Sequence, residues 1–250
     1  MDAARIAALL HPFIERTLPE VQLQQISMYI DLLLRWNARI NLTAIRDPDE
    51  IVTRHFGESF FLARHLFPET SVARAPTPAW SSKPSNPPQS ETQRTYLAPD
   101  AEEPGKGLSD TSVRPTVLDI GSGAGFPGLP LKLWAPAISL TLVESNHKKA
   151  AFLREVIRAL ILTDVNVITA RAETLAGISP AADVVTLRAV EHFDAILPIA
   201  ARLVSPSGRL ALLIGSSQLP ALQTLAPDFR TAATRPVPQS KSRVLSIVVR

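Results

Sequence analysis

Four of the ten glycines in this 250-residue chain fall in one eight-residue stretch, GSGAGFPG, at positions 121, 123, 125 and 128. The stretch follows directly on the apolar run Thr116-Val117-Leu118-Asp119-Ile120. A strand that runs into clustered glycines ends in a turn whose backbone takes positive φ, and the missing Cβ atoms let a ligand come close to the main chain. A second apolar run, Ser139-Leu140-Thr141-Leu142-Val143, ends in Glu144. An acid about 20 residues beyond such a turn can hold two ribose hydroxyls. Together the two features describe half of a Rossmann-like nucleotide site.

The spacing Gly123-x-Gly125-x-x-Gly128 also satisfies the dinucleotide fingerprint, so a nicotinamide- or flavin-dependent oxidoreductase stays open at this point. Asp119 weighs against it. A carboxylate at the end of the first strand would face a pyrophosphate unfavourably, whereas it suits a ligand with an ammonium group and a cationic sulfur. S-adenosylmethionine is such a ligand, which makes Asp119, Gly121, Gly123 and Glu144 candidate binding residues.

The chain has no cysteine, which excludes disulfides, Cys-ligated zinc, iron–sulfur clusters and methylation through a cysteine nucleophile. No apolar run approaches the roughly 20 residues of a membrane span, and Asp2 and Arg5 interrupt the amino terminus, so a soluble, cytoplasmic protein without a signal peptide is expected. The net charge of +3 is unevenly placed: residues 114–250 carry 15 basic and 9 acidic side chains. An excess of that size can steer RNA, and a solvated basic face explains it equally well.

Three segments are expected: a helical cap over residues 1–70, a disordered insertion over 71–115, and an α/β domain over 116–250. In the first, Leu23, Ile26, Ile30, Leu33 and Leu34 recur at helical spacing, with Trp36 read as core. Asp47-Pro48-Asp49-Glu50 opens a second helix reaching Leu66, and on it His55 is read as a packed or surface histidine. The middle segment carries eight prolines among Ser, Thr and Gln. After it, strands are expected at 116–120, 139–143, 165–169, 183–187, 209–214 and 244–249, in a doubly wound sheet. A helix over 148–160, capped by Ser145 or Asn146, places Lys148 and Lys149 in its first turn.

The runs VLDIGSGAGFPGLPLKL, LTLVESNHKKAAFLREV, ITARAE and DVVTLRAV, with NARINLTAIRDPDEIVTRHF before them, resemble the RsmG (glucose-inhibited division protein B) family of bacterial 16S ribosomal RNA guanine-N7 methyltransferases. The resemblance implies a class I S-adenosylmethionine-dependent methyltransferase fold. It implies that Gly121 and Phe126 contact the cofactor, that Glu144 takes the ribose, and that Ala172 and Glu173 lie at the adenine. Arg188 would stand where cofactor and base meet, an ion pair with Glu173 or Glu191 being the structural alternative. The implied partner is 16S ribosomal RNA, free or within the small ribosomal subunit; no metal and no membrane partner is implied.

The chain departs from the family in having Glu58-Ser59-Phe60 for the usual Asp-Ser-Leu and Ile214-Gly215-Ser216 where a Lys-Gly is usual. Those departures keep open a descendant that binds S-adenosylmethionine and RNA without catalysis. Guanine N7 is an in-plane lone pair, so transfer to it needs no general base. Arg188 and Arg171 are then the candidates to orient the substrate.

Overall fold

The computed structural model describes residues 1–68, 114–175, 181–190 and 192–250. The expected insertion, apart from Arg114 and Pro115, lies outside the described residues. Residues on either side of it belong to one compact unit.

Helix α1 (Ala3–Leu10) starts at Asp2, whose carboxylate accepts from the Arg5 N–H. Helix α2 (Glu20–Asn37) buries the expected stripe of Leu23, Ile26, Ile30 and Leu33, and Trp36 packs edge-on against Phe152. Asp47 caps the short α3 (Pro48–Glu50) through the Glu50 N–H, with Pro48 in the first turn as its fixed φ favours. The uninterrupted α-helix expected from there is corrected: Ile51–Gly57 is π-helical, and α4 (Glu58–Leu66) follows it. The wider π turn brings Ile51, Val52, His55, Phe56 and Gly57 all to the interior, more than one α-helical stripe could bury. Gly57 permits this, because a Cβ there would lie 2.7 Å from the Phe13 ring.

Seven strands form one sheet: β1 (Thr116–Ile120), β2 (Ser139–Val143), β3 (Val165–Ile168), β4 (Ala182–Arg188), β5 (Val204–Gly215), β6 (Arg230–Pro236) and β7 (Arg243–Val249). Their order is β3-β2-β1-β4-β5-β7-β6, with β1 to β5 parallel and β7 antiparallel to both its neighbours. This is the class I methyltransferase arrangement. Helices α5 (Gly128–Trp134), α6 (His147–Ala159), α7 (Phe193–Arg202) and α8 (Leu219–Leu225) make the crossovers. Strand β6 was not anticipated; its exposed Arg-Thr-Ala-Ala-Thr-Arg run has no apolar alternation and sits at the sheet edge.

Alternate strand residues feed two cores, as the period of a strand requires. Val117, Leu142, Val184 and Ile247 face a cluster shared with Ile6, Leu33, Phe56, Leu129 and Phe152. Leu118, Ile120, Val185 and Leu187 face Leu197, Ala200 and Leu222. The amino-terminal helices thus complete one layer of the sandwich, and each fully buried side chain such as Phe56 or Phe152 contributes roughly 1.5–3 kcal/mol. From β1 the sheet runs one way to β2 and the other way to β4, which opens a crevice at their carboxyl ends.

Candidate functional site

The glycine turn leaves β1 into that crevice with φ of +70° at Gly121, +54° at Gly123 and +88° at Gly125. Gly125 needs its bare Cα for packing, since a Cβ would collide with Tyr29 Oη and come within 2.6 Å of Leu129. At Gly123 no packing atom is nearer than 3.8 Å, so that glycine faces open space.

Asp119 is corrected as a direct partner of a cationic ligand. Its side chain is buried beneath the turn, where Oδ1 accepts from Thr186 Oγ1 at 2.7 Å and Oδ2 from the Gly128 N–H at 3.3 Å. Its main-chain carbonyl accepts from Ser122 Oγ. Burial raises the carboxyl to about pKa 6 even against those hydrogen bonds. Asp119 therefore holds the turn in shape from below, and it does not line the crevice.

Glu144 does line it. Its two carboxylate oxygens accept one backbone N–H each, from Gly123 at 2.8 Å and Asn146 at 2.7 Å. A carboxylate offers about four lone-pair sites, so two remain for hydroxyl donors. Asn146, one of the two expected caps, closes the amino end of α6 by accepting from the Lys148 and Lys149 N–H groups. Lys149 reaches the crevice wall.

The crevice holds about 620 Å³ and brings together Gly121, Gly123, Phe126, Glu144, Arg171, Ala172, Glu173 and Arg188. Ala172 is buried in the 3₁₀ turn Ala172–Leu175, while Arg171 and Glu173 are exposed at the rim. Ala189 and His192, in the segment after β4, also line the crevice and both take positive φ. Non-glycine residues in that conformation carry local strain, of the kind that concentrates at binding sites.

The opposite wall comes from the amino-terminal helices, and sequence reasoning largely missed it. Glu191, one residue of the expected alternative, lies outside the described residues, and Arg188 pairs with Glu58 and not with Glu173, the other. Its Nη2 donates to Glu58 Oε2 at 3.1 Å, and Arg243 donates to the same oxygen at 2.9 Å. Arg54 stands 3.6 Å from the other Glu58 oxygen. Glu58 and Arg188 are both almost wholly buried, at 2% and 7% side-chain exposure, so each needs the other to offset lost hydration. The departure at Glu58 therefore keeps a carboxylate in use. The family's lysine would stand at Ile214; Arg243, paired across the strands with the next residue, Gly215, carries a cation to this end of the sheet.

Both Arg188 Nη atoms lie 3.1 Å from His55 Nδ1. A guanidinium has only donors, so Nδ1 must accept and the His55 proton sits on Nε2, which donates to Thr43 Oγ1 at 2.9 Å. Burial first, then the positive charges of Arg188, Arg243 and Arg54, hold the His55 pKa down to about 2. The ring stacks on Phe126 with centroids 4.7 Å apart. His55 is thus a neutral wall of the crevice, and its buried position is the packed reading of the sequence. Thr43 and Leu42 complete that wall, and only their place in the Asn-Leu-Thr run hinted at them.

Among the described residues no group of three or more His, Asp or Glu side chains could hold a metal ion, and no helix is long and apolar enough to cross a membrane.

The sequence profile described as "rRNA small subunit methyltransferase G" matches residues 22–73 and 106–240. Proteins named ribosomal RNA small subunit methyltransferase G are similar along most of their length. The one from Chloroflexus aggregans is 34% identical over 93% of this chain and 84% of its own. That from Roseiflexus castenholzii is 37% identical over 80% and 68%, and that from Xylella fastidiosa 32% over 89% and 84%. The dinucleotide-dependent oxidoreductase left open by the glycine spacing is overturned by these matches. With the seven-strand topology, the glycine turn and Glu144 in place, this chain belongs to the rRNA small subunit methyltransferase G family.

Proposed function

We propose that the protein transfers the methyl group of S-adenosylmethionine to N7 of a guanine in 16S ribosomal RNA, and that it does so in the cytoplasm. The observation that carries this reading is the crevice at the β1–β4 switch point, in which the open face of Gly123, the spare lone pairs of Glu144 and the buried Arg188 converge. These groups fit the cofactor: Glu144 would hold the ribose, Gly121, Gly123 and Phe126 its sulfonium half, and Ala172 and Glu173 the adenine. When bound, the cofactor supplies an electrophilic methyl group and needs no activation by the protein.

The protein's own contribution is then positional. Holding a nucleophile in line at near-contact distance accounts for large rate gains without any proton transfer. The neutral His55 supports this, because its Nδ1 lone pair is already occupied by Arg188 and its Nε2–H by Thr43. It has no free lone pair with which to act as a base. Arg188 fixes that wall, and Arg171, exposed at the rim, is the residue placed to meet a phosphate of the incoming strand. The target base must leave its stack to enter the crevice.

The test is to map 7-methylguanosine in 16S ribosomal RNA from cells with and without the gene, and to restore it with the purified protein and S-adenosylmethionine. Loss and restoration of one modified guanine is expected. Modification that persists unchanged without the gene contradicts the reading.

A further inference from the structure

We infer that Thr43 reads the target base: its hydroxyl is locked as a donor aimed at an acceptor, which on a guanine is O6, the neighbour of N7. This rests on the functional reading above and goes further by naming the residue that selects the base.

The argument is a count of hydrogen-bonding capacity. A threonine hydroxyl has one proton and two lone pairs. His55 Nε2–H fills one lone pair at 2.9 Å, and the Ile45 N–H fills the other at 3.2 Å. The direction of the first bond is not free, since Arg188 donates to His55 Nδ1 and thereby forces the proton onto Nε2. Only the Thr43 proton is left, and the side chain lines the crevice.

The position of the hydroxyl is fixed as tightly as its polarity. Asn37 Oδ1 accepts from the Thr43 N–H at 3.1 Å, and Asn37 Nδ2 donates to the Thr43 carbonyl at 2.9 Å. Asn37 is itself buried. A partly exposed surface threonine needs no clamp of this kind, nor a relay that begins at a buried carboxylate.

A donor that cannot accept distinguishes purines. Guanine presents O6 and N7, two acceptors, side by side on its major-groove edge, whereas adenine presents an amino donor where O6 would be. Thr43 can bond to O6 and leave N7 free for the methyl group. Against adenine it would set donor against donor.

The experiment measures single-turnover methyl transfer by the full-length protein to 16S ribosomal RNA carrying either guanine or 2-aminopurine at the target position. The second base keeps N7 and lacks O6. Thr43→Val is expected to slow transfer to guanine by about tenfold to a hundredfold, the range for an unpaired polar group in a base contact. Thr43→Ser is expected to keep the wild-type rate on guanine. On 2-aminopurine the wild-type protein and Thr43→Val are expected to coincide.

Thr43→Val slowing both bases by the same factor, or guanine not at all, overturns the assignment. So does Thr43→Ser failing to rescue while S-adenosylmethionine binds it with unchanged affinity by calorimetry. If the wild-type protein forms no 7-methylguanosine, the functional reading fails first, and this inference with it.

Discussion

The two walls of the crevice are made by different means. The sheet wall is built from backbone: glycines in positive φ, a carboxylate that clamps two N–H groups, and Asp119 holding the turn from beneath. The helical wall is built from side chains, in a relay from Glu58 through Arg188 and His55 to Thr43 that joins residues more than 130 positions apart. A backbone wall tolerates substitution wherever there is space, whereas a relay of buried polar groups loses most when a charge in it is left unpaired.

The largest effect should therefore come from the helical wall. Glu58→Gln strips the carboxylate from buried Arg188 and from Arg243, and should destabilise the fold by about 3–5 kcal/mol in denaturant unfolding. A loss below about 1 kcal/mol would show that water already shields those arginines. On the sheet wall Gly125→Ala should come next, at about 2–4 kcal/mol, because overpacking against Tyr29 and Leu129 adds to the strain at φ +88°. Gly123→Ala, with open space around it, should cost only about 1 kcal/mol and sharpens the contrast within one turn.

Glu144→Ala should weaken S-adenosylmethionine binding by about 1.5–3 kcal/mol in calorimetry, the value of charge-assisted bonds to the ribose. An unchanged affinity would place the ribose elsewhere. NAD should not bind.

The smallest effect concerns pH. His55 has its folded pKa depressed from 6.5 to about 2, so its contribution to stability is present above about pH 6.5 and is lost as the pH falls below it. Asp119 acts in the opposite sense: its folded pKa is raised from 3.8 to about 6, so its contribution is present at low pH and is lost as the pH rises through 6. Between pH 6.5 and 5.5 His55→Gln, which still offers an acceptor to Arg188, should lose about 1 kcal/mol less stability than the wild-type protein. Equal losses would mean that His55 titrates normally.

The same contrast explains what could be read from the sequence. Glycine clustering after a strand has a local cause, so the turn, Glu144 and the first five strands were legible in order and close to their positions. Asp119 was legible as a residue of the turn but not in its direction, since sequence does not say which side of a loop a carboxylate faces. The π-helical turn at Ile51–Gly57 left no local mark, because buried packing around Phe13 decides it. Edge strand β6 has too little apolar surface to signal itself. His55 and Glu58 meet Arg188, and through His55 the relay reaches Thr43, only once the chain has folded, and short-range spacing carries no trace of that meeting. The family resemblance supplied Arg188, but neither it nor the spacing pointed to Glu58 as its partner.

The central claim is that the crevice transfers methyl to N7 by position alone, with His55 held neutral and no base required. The most direct measurement is the single-turnover rate of 7-methylguanosine formation on 16S ribosomal RNA, at saturating RNA and S-adenosylmethionine, between about pH 6.5 and 9. A rate that stays flat across that range, in the wild-type protein and in Thr43→Ser alike, is the expected result. A limb rising with unit slope near neutrality, or methyl found on an exocyclic nitrogen or a hydroxyl, would contradict it.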